Sequence, residues 1–323
     1  MAADRSEILL VGPERPVIAK GLAGFNLHDL SAAPDRDAFL SSIAHVRGMA
    51  VSAPVEPVND ALFSRLPRLE IVASFGVGYD HIDALAAGKR GIIVTHTPDV
   101  LTEEVADTAI GLLICTVREL PQAERYLRGG KWRKGDYPLS RATLRNRSVG
   151  LIGMGRIGLA IARRLEAFGM PIAYHARRPR PGLAYRHYAR LIDMARDVDT
   201  LIVIVPGGAA TRNMIDANVL EALGPDGILI NVARGSVVDE PALIAALRAR
   251  KIMAAGLDVF VAEPEVPDEL LTMENVVLLP HLGSASVFTR EKMDQLLVDN
   301  ILAWAAGEPP LTPVPETPWR EWN

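Results

Sequence analysis

Three glycines and three ionisable side chains carry the chemistry open to this sequence. Gly153, Gly155 and Gly158 stand in Gly150-Leu151-Ile152-Gly153-Met154-Gly155-Arg156-Ile157-Gly158, directly after an apolar run and directly before the helix-like Leu159 to Phe168. Strand, tight turn and helix in that order are the setting in which Gly-x-Gly-x-x-Gly cradles a dinucleotide. The first glycine allows the turn, the second lets backbone approach a pyrophosphate, and the third lets the helix pack on its strand. Free N–H groups and the positive dipole end then meet the anion, with Arg156 and Ile157 in the first turn. The plainer alternative is an ordinary tight turn between core elements.

Arg234 follows the run Ile230-Asn231-Val232-Ala233, Glu263 follows Gly256-Leu257-Asp258-Val259-Phe260, and His281 follows Leu278-Leu279-Pro280. Each lies at or just past a strand end, on the carboxyl edge of one sheet, where a bound dinucleotide presents its nicotinamide. Singly they read as a surface cap, a solvated loop acid and a turn histidine. Together they suit proton transfer beside an anion: an arginine fork grips a carboxylate, and a histidine beside an acid gives or takes a proton.

The elements that must position these residues follow from a regular alternation. Apolar β-branched runs at Ile8–Val11, Gly48–Ser52, Ile71–Ser74 and Ile92–Thr95 are separated by helix-like stretches such as Asp35–Ala44 and Asp60–Leu66. From the fingerprint on, five further strands are predicted at Ile172–Tyr174, Thr200–Val205, Ile228–Val232, Ala254–Val259 and Val276–Leu279, with helices between them. The expected fold is α/β, with two doubly wound parallel-sheet domains. Residues 1–98 and 286–323 are expected to form a flavodoxin-like substrate domain, and 99–285 an inserted Rossmann cofactor domain. A last helix at Thr289–Ala306 returns to the first domain, and a proline-rich tail follows it.

The chain has 323 residues, is 49% hydrophobic and 23% charged, and carries a net charge of −4. It is long enough for two cores, and its sign disfavours nucleic acid and anionic membranes as partners. The single cysteine, Cys115, lies in an apolar run and reads as packing in a reducing compartment. No segment is long and apolar enough to span a bilayer, and Asp4, Arg5 and Glu7 leave no room for a signal-peptide core, so a cytoplasmic location is expected. No metal-ligand spacing is read.

Two further segments bear on function. Ser74-Phe75-Gly76-Val77-Gly78-Tyr79-Asp80-His81-Ile82-Asp83 is a glycine turn at a strand's carboxyl end, where bare amides suit a carboxylate; a plain strand-to-helix turn is its alternative. Gly129–Arg147, with Trp132, Tyr137 and Leu139, reads as an exposed arm following the helical Leu101–Val117 and suited to packing on another subunit.

Across these segments the chain resembles the D-isomer-specific 2-hydroxyacid dehydrogenases, through the Phe75–Asp83 turn, Gly150–Gly158, Asn231-Val232-Ala233-Arg234-Gly235, Gly256–Phe260 and Leu279-Pro280-His281-Leu282-Gly283-Ser284. Val105–Leu112 and Lys131–Leu139 look most like the glyoxylate, hydroxypyruvate and hydroxyphenylpyruvate reductases. The resemblance implies that Arg234, Glu263 and His281 are catalytic, with the Val77 and Gly78 amides joining Arg234 and His281 on a small 2-keto acid. It implies that Val205, Pro206, Thr211, Val232, Ala233, Asp258 and Gly283 line the cofactor; a homodimer is expected from the exposed arm. Relatives that use NAD close the second strand of the cofactor domain with an aspartate; His175 stands there in this chain, followed by Arg177, Arg178 and Arg180. NADP(H) is therefore the expected cofactor, with NAD(H) as the alternative. The rival readings are an NAD-dependent dehydrogenase of another D-2-hydroxy acid, and a dinucleotide-sensing corepressor-like protein.

Overall fold

Short apolar runs buried on both faces need helices on both sides, and the chain meets that need twice. The computed structural model describes residues 7–53 and 56–319; the reading of Asp4 and Arg5 lies outside them. The described residues up to Leu101, with those from Ser286 on, form one unit, and Thr102–Ala285 form the other.

The first unit runs β1 (Glu7–Val11), α1 (Pro16–Gly21), β2 (Asn26–Asp29), α2 (Arg36–Ser42), β3 (Gly48–Val51), α3 (Asp60–Arg65), β4 (Ile71–Ser74), α4 (Ala84–Lys89) and β5 (Ile93–Thr95). Its strands are all parallel, in the order β2-β1-β3-β4-β5, the flavodoxin-like winding. The side chains of Asp35, Asn59 and Asp83 cap α2, α3 and α4 at their first turns.

The second unit opens on α5 (Thr102–Arg118) and α6 (Leu120–Arg128). It continues with β6 (Val149–Ile152), α7 (Arg156–Ala167), β7 (Ile172–His175), β8 (Arg186–Tyr188), α8 (Leu191–Asp197), β9 (Thr200–Val203), α9 (Ala217–Leu223), β10 (Ile228–Asn231), α10 (Glu240–Arg248), β11 (Ala254–Leu257), α11 (Asp268–Thr272) and β12 (Val276–Leu278). The parallel order β12-β11-β10-β9-β6-β7-β8 reverses direction between β6 and β9, the Rossmann switch point. Helix α5 packs on α7, β10 and β11, and Gly256 of β11 has no room for a side chain, since a Cβ there would lie 2.5 Å from the Thr116 hydroxyl.

Helix α12 (Val287–Ala305) belongs to the first unit, against α1, β3 and β4. It buries Trp304 completely, and the indole Nε1 donates to Glu70 at 2.9 Å. Past it, the tail pairs with β5: Val314 N donates to Val94 O at 2.9 Å, and Pro313 bridges Thr95. An edge that would otherwise offer unpaired backbone is thereby covered.

Two strands depart from the expectation. Asn26-Leu27-His28-Asp29 and Arg186-His187-Tyr188 lack an apolar run, because each forms an outer strand of its sheet with polar residues at the rim. The second sheet thus has seven strands where six were expected. The Gly129–Arg147 arm is a 3₁₀ turn at Lys131–Arg133 followed by residues without helix or strand, and Leu139 is 95% exposed. Its last residue is anchored: the Arg147 guanidinium is buried and donates to the carbonyls of Asp199 (2.5 Å) and Asp226 (2.6 Å). Cys115 is only partly buried, and burial pushes its thiol above the ordinary range, away from reactive thiolate character.

Candidate active site

The fingerprint turn is as tight as its glycines require. Gly153 has φ +103°, and a Cβ there would lie 2.7 Å from the Ile204 carbonyl. That contact brings the turn after β6 against the loop after β9, at the switch point. A Cβ on Gly158 would sit 2.4 Å from the Gly153 carbonyl, so the third glycine is what lets α7 close on its own turn. Gly155 differs, because a Cβ there meets nothing within 4 Å. It opens α7 as N-cap with no side chain bonded to the helix amides. Open space in front of uncapped amides fits a pyrophosphate. Arg156 is exposed and Ile157 half-buried in that first turn.

Beside this turn ends β7, in register with β6 so that His175 pairs with Ile152. His175 Nδ1 contacts the Tyr188 carbonyl at 2.9 Å; a carbonyl only accepts, so Nδ1 carries a proton and Nε2 is not engaged by that bond. Arg177 and Arg178 are exposed, and among the described residues neither has a hydrogen-bond or ion-pair partner. Arg180 is committed: its guanidinium donates to the Met154 carbonyl inside the fingerprint, and its amide to the Tyr174 hydroxyl at 2.8 Å. Arg180 therefore holds the basic turn against the glycine turn, leaving Arg177 and Arg178 as the available cations.

The remaining strands end on the same edge. Val205 and Pro206 follow β9, and the Thr211 hydroxyl ties this loop by donating to the Pro206 carbonyl at 2.7 Å. Val232 and Ala233 are buried just past β10, and Arg234 follows, half-buried, its carbonyl accepting from Asn231 Nδ2 at 3.0 Å. Glu263 and His281 meet: His281 Nδ1 lies 2.7 Å from Glu263 Oε2. Burial alone would raise the Glu263 carboxyl. The His281 hydrogen bond, the Phe260 amide at 2.9 Å and the charges of His281 and Arg234 outweigh it and hold the group below its ordinary range. With Glu263 ionised, Nδ1 must donate, and Nε2 is the nitrogen that this pair leaves unengaged.

Asp258, expected among the cofactor-lining residues, is 2% exposed and has a second task. Its two carboxylate oxygens accept from the Leu282 amide (2.8 Å) and the Gly283 amide (2.9 Å), and its carbonyl accepts from the His281 amide (2.9 Å). These bonds hold His281 at φ +50°, a conformation that non-glycine residues seldom adopt. Burial pushes the Asp258 carboxyl upward against the pull of the two amides, so its placement costs stability and serves the turn. A Cβ on Gly283 would lie 2.9 Å from that carboxylate. Gly235, the last residue of the Asn231–Gly235 motif, is equally constrained. A Cβ there would overlap the Phe260 backbone at 1.9 Å, so this glycine lets the Arg234 and Glu263 loops touch. An acid inside an otherwise apolar run was the available signal for Asp258; for Gly235 there was none.

Val77 and Gly78 lie in the other unit, after β4. Gly76 turns the chain at φ +125°, with its amide on the Thr97 hydroxyl at 2.9 Å, and His96 Nδ1 lies 3.0 Å from the Val77 carbonyl. Among the described residues the Val77 and Gly78 amides have no acceptor, as a carboxylate cradle requires. Tyr79 is pushed up to about 12 by burial and by its hydrogen bond to Glu316, so it stays a neutral phenol.

Known proteins resemble this chain over most of its length. Residues 110–283 match the D-isomer specific 2-hydroxyacid dehydrogenase, NAD binding domain. The chain is 46% identical over 290 residues to glyoxylate/hydroxypyruvate reductase A of Arabidopsis thaliana, covering 90% of this chain and 92% of that protein. It is 47% identical over 253 residues to the hydroxyphenylpyruvate reductase of Plectranthus scutellarioides, covering 78% and 80%. Among solved structures, an NADPH-dependent glyoxylate/hydroxypyruvate reductase from Sinorhizobium meliloti, in complex with NADP and malonate, superposes with a TM-score of 0.94 at 54% identity, covering 99% of this chain and all of that one. Matches of this extent, over a site built as above, place the chain in the D-isomer specific 2-hydroxyacid dehydrogenase family.

Proposed function

We propose that this chain is an NADPH-preferring reductase that converts small 2-keto acids, glyoxylate and hydroxypyruvate first among them, to D-2-hydroxy acids. The observation that carries the reading is the Glu263–His281 pair on the same strand edge as Arg234 and the fingerprint turn. The Sinorhizobium meliloti neighbour, an NADPH-dependent enzyme of this substrate class, supports it against a binding protein without catalysis.

When bound, the reduced nicotinamide supplies a hydride to the keto carbon. His281 delivers the proton to the developing alkoxide oxygen from Nε2, while Glu263 fixes the ring and its tautomer through Nδ1. Arg234 holds the substrate carboxylate by its planar fork. In their own unit, the Val77 and Gly78 amides offer further donors of the kind a carboxylate accepts. We assign the unit built on β6–β12 to the cofactor and the unit built on β1–β5 to the keto acid. His175, Arg177 and Arg178 receive the ribose 2′-phosphate: no carboxylate stands at the end of β7 to repel it, and two uncommitted guanidinium groups stand there to bind it.

The arm supports a homodimer. Leu120, Leu127, Trp132 and Leu139 are 45–95% exposed, more apolar surface than one segment leaves in water without a partner. We place the interface along residues 101–147, with Tyr137–Leu139 reaching the neighbouring subunit. A cytoplasmic setting suits a chain with one cysteine, and among the described residues no helix is long and apolar enough to cross a membrane.

The test is an absorbance assay of NADPH and NADH oxidation with glyoxylate, hydroxypyruvate, pyruvate, 2-ketogluconate and hydroxyphenylpyruvate, followed by chiral analysis of the product. Faster NADPH oxidation with the two smallest polar keto acids and a D product is the expected result. No turnover with any of them would leave the binding-protein reading standing.

A further inference from the structure

At the opposite end of the first sheet from the Val77–Gly78 turn, three potential metal ligands converge. Glu7 opens β1, and parallel register sets it beside Asn26 and sets Leu9 beside His28. Side chains two apart on a strand share a face, so Glu7, Asn26 and His28 project from the same side of the sheet. His45 reaches the same point from the connection between α2 and β3. His28 Nε2 touches Glu7 Oε2, and His45 Nε2 lies 3.6 Å from the same oxygen. Asn26 Nδ2 orients the carboxylate by donating to both of its oxygens, at 3.2 and 3.1 Å. One ligand atom from each of Glu7, His28 and His45 lies within 4.8 Å of the other two.

We propose that Glu7, His28 and His45 bind a divalent transition-metal ion of the zinc class. Two imidazoles and one carboxylate are the donor set that zinc takes, with water in a fourth position. Bonds of about 2.0–2.1 Å in a tetrahedron separate ligand atoms by roughly 3.3 Å, close to the His45–Glu7 spacing already present. The ion replaces the direct His28–Glu7 contact, and His45 already presents Nε2 3.6 Å from the same carboxylate oxygen. Calcium and magnesium do not fit, because they favour several oxygen ligands and only one carboxylate is offered. The imidazoles are held firmly enough to present a site: the His28 ring packs edge-on to Phe39, with centroids 6.5 Å apart, and edge-on to His45 at 6.3 Å. The position at the start of β1 separates this site from the Val77–Gly78 turn at the carboxyl end of the same sheet. Its role is therefore to fasten the outer strand β2 and the α2–β3 connection to β1. No motif spacing reveals it, because the ligands come from three separate elements.

The test uses the full chain without a polyhistidine tag, freed of metal by a chelator. Zinc is titrated by calorimetry, and cobalt(II) is used as a spectroscopic substitute. One saturable zinc site, a cobalt d–d band of tetrahedral intensity, and affinity lowered at least ~10-fold in His45→Ala are the expected results. His45 is half exposed, so this variant keeps the fold, which circular dichroism checks. Absence of saturable zinc binding by the wild type, or equal affinity in the wild type and the His28→Ala/His45→Ala double variant, would overturn the proposal and leave the cluster as a hydrogen-bonded ion pair.

Discussion

At the scale of single residues, the chemistry rests on which atoms are already committed. His281 gives Nδ1 to Glu263 and keeps Nε2, so His281→Ala removes the proposed proton donor without touching the fingerprint. Turnover should fall by about 10²–10⁴-fold while the NADPH dissociation constant stays within error, as read by steady-state kinetics and fluorescence titration. Arg177 is the complementary case. Replacing it with alanine should weaken NADPH by about 1.5–3 kcal/mol, the worth of a hydrogen bond to a charged group, and leave NADH almost unchanged. Equal loss of both cofactors would remove the 2′-phosphate assignment. Glu263 also makes a statement about pH. Its folded value lies below its unfolded one, so the stabilisation it provides is present above the ordinary glutamate range, near pH ~4.3, and is lost as pH falls through the depressed value. The gap in Tm between wild type and Glu263→Gln should accordingly close as pH falls below about 4. A gap that widens in acid would contradict the pairing.

At the scale of elements, two glycines of one motif separate folding from binding. Glycine to alanine inside a helix ordinarily gains up to about 1 kcal/mol. At Gly158 the new Cβ meets a backbone carbonyl that cannot step aside, and overpacking of this kind costs about 1–3 kcal/mol. The clash wins, so Gly158→Ala should lower Tm and weaken the dinucleotide together. Gly155→Ala meets open space, and its backbone, at φ −78°, suits alanine. It should leave Tm unchanged and still weaken NADPH, because the methyl occupies the place of the pyrophosphate. A Tm loss at Gly155 equal to that at Gly158 would show that the space in front of α7 is not a ligand site. The same physics governs the His281 turn, where Asp258 spends its carboxylate on the Leu282 and Gly283 amides and so holds His281 at positive φ.

At the scale of the whole molecule, the proposed dimer follows from surface that one chain leaves exposed. The arm is ordered from within: the Tyr126 hydroxyl donates to the Gly135 carbonyl at 2.8 Å, and the Tyr137 hydroxyl to Glu119 at 3.0 Å. An arm braced this way presents Trp132 and Leu139 as fixed apolar features. Light scattering at micromolar concentration should report a dimer, and Trp132→Ser with Leu139→Ser should shift it toward monomer while circular dichroism stays unchanged. A wild-type monomer would remove the interface from the arm.

The sequence by itself determined the two-sheet α/β plan and the glycine fingerprint, and it placed Arg234, Glu263 and His281 at strand ends. Buried parallel strands must be short apolar runs, and a turn that admits a pyrophosphate must be glycine, so both are written in local residue type. It was silent on β2 and β8, because an outer strand needs no apolar face to be held by its neighbour's backbone. Tertiary structure alone decided the rest. Arg180 is spent on Met154 while Arg177 and Arg178 remain available; Asp258 braces the histidine turn; Gly235 admits Phe260; and Glu7, His28 and His45 meet at one point. Each depends on atoms brought together by separate elements, and residue type and spacing along the chain carry no record of such a meeting.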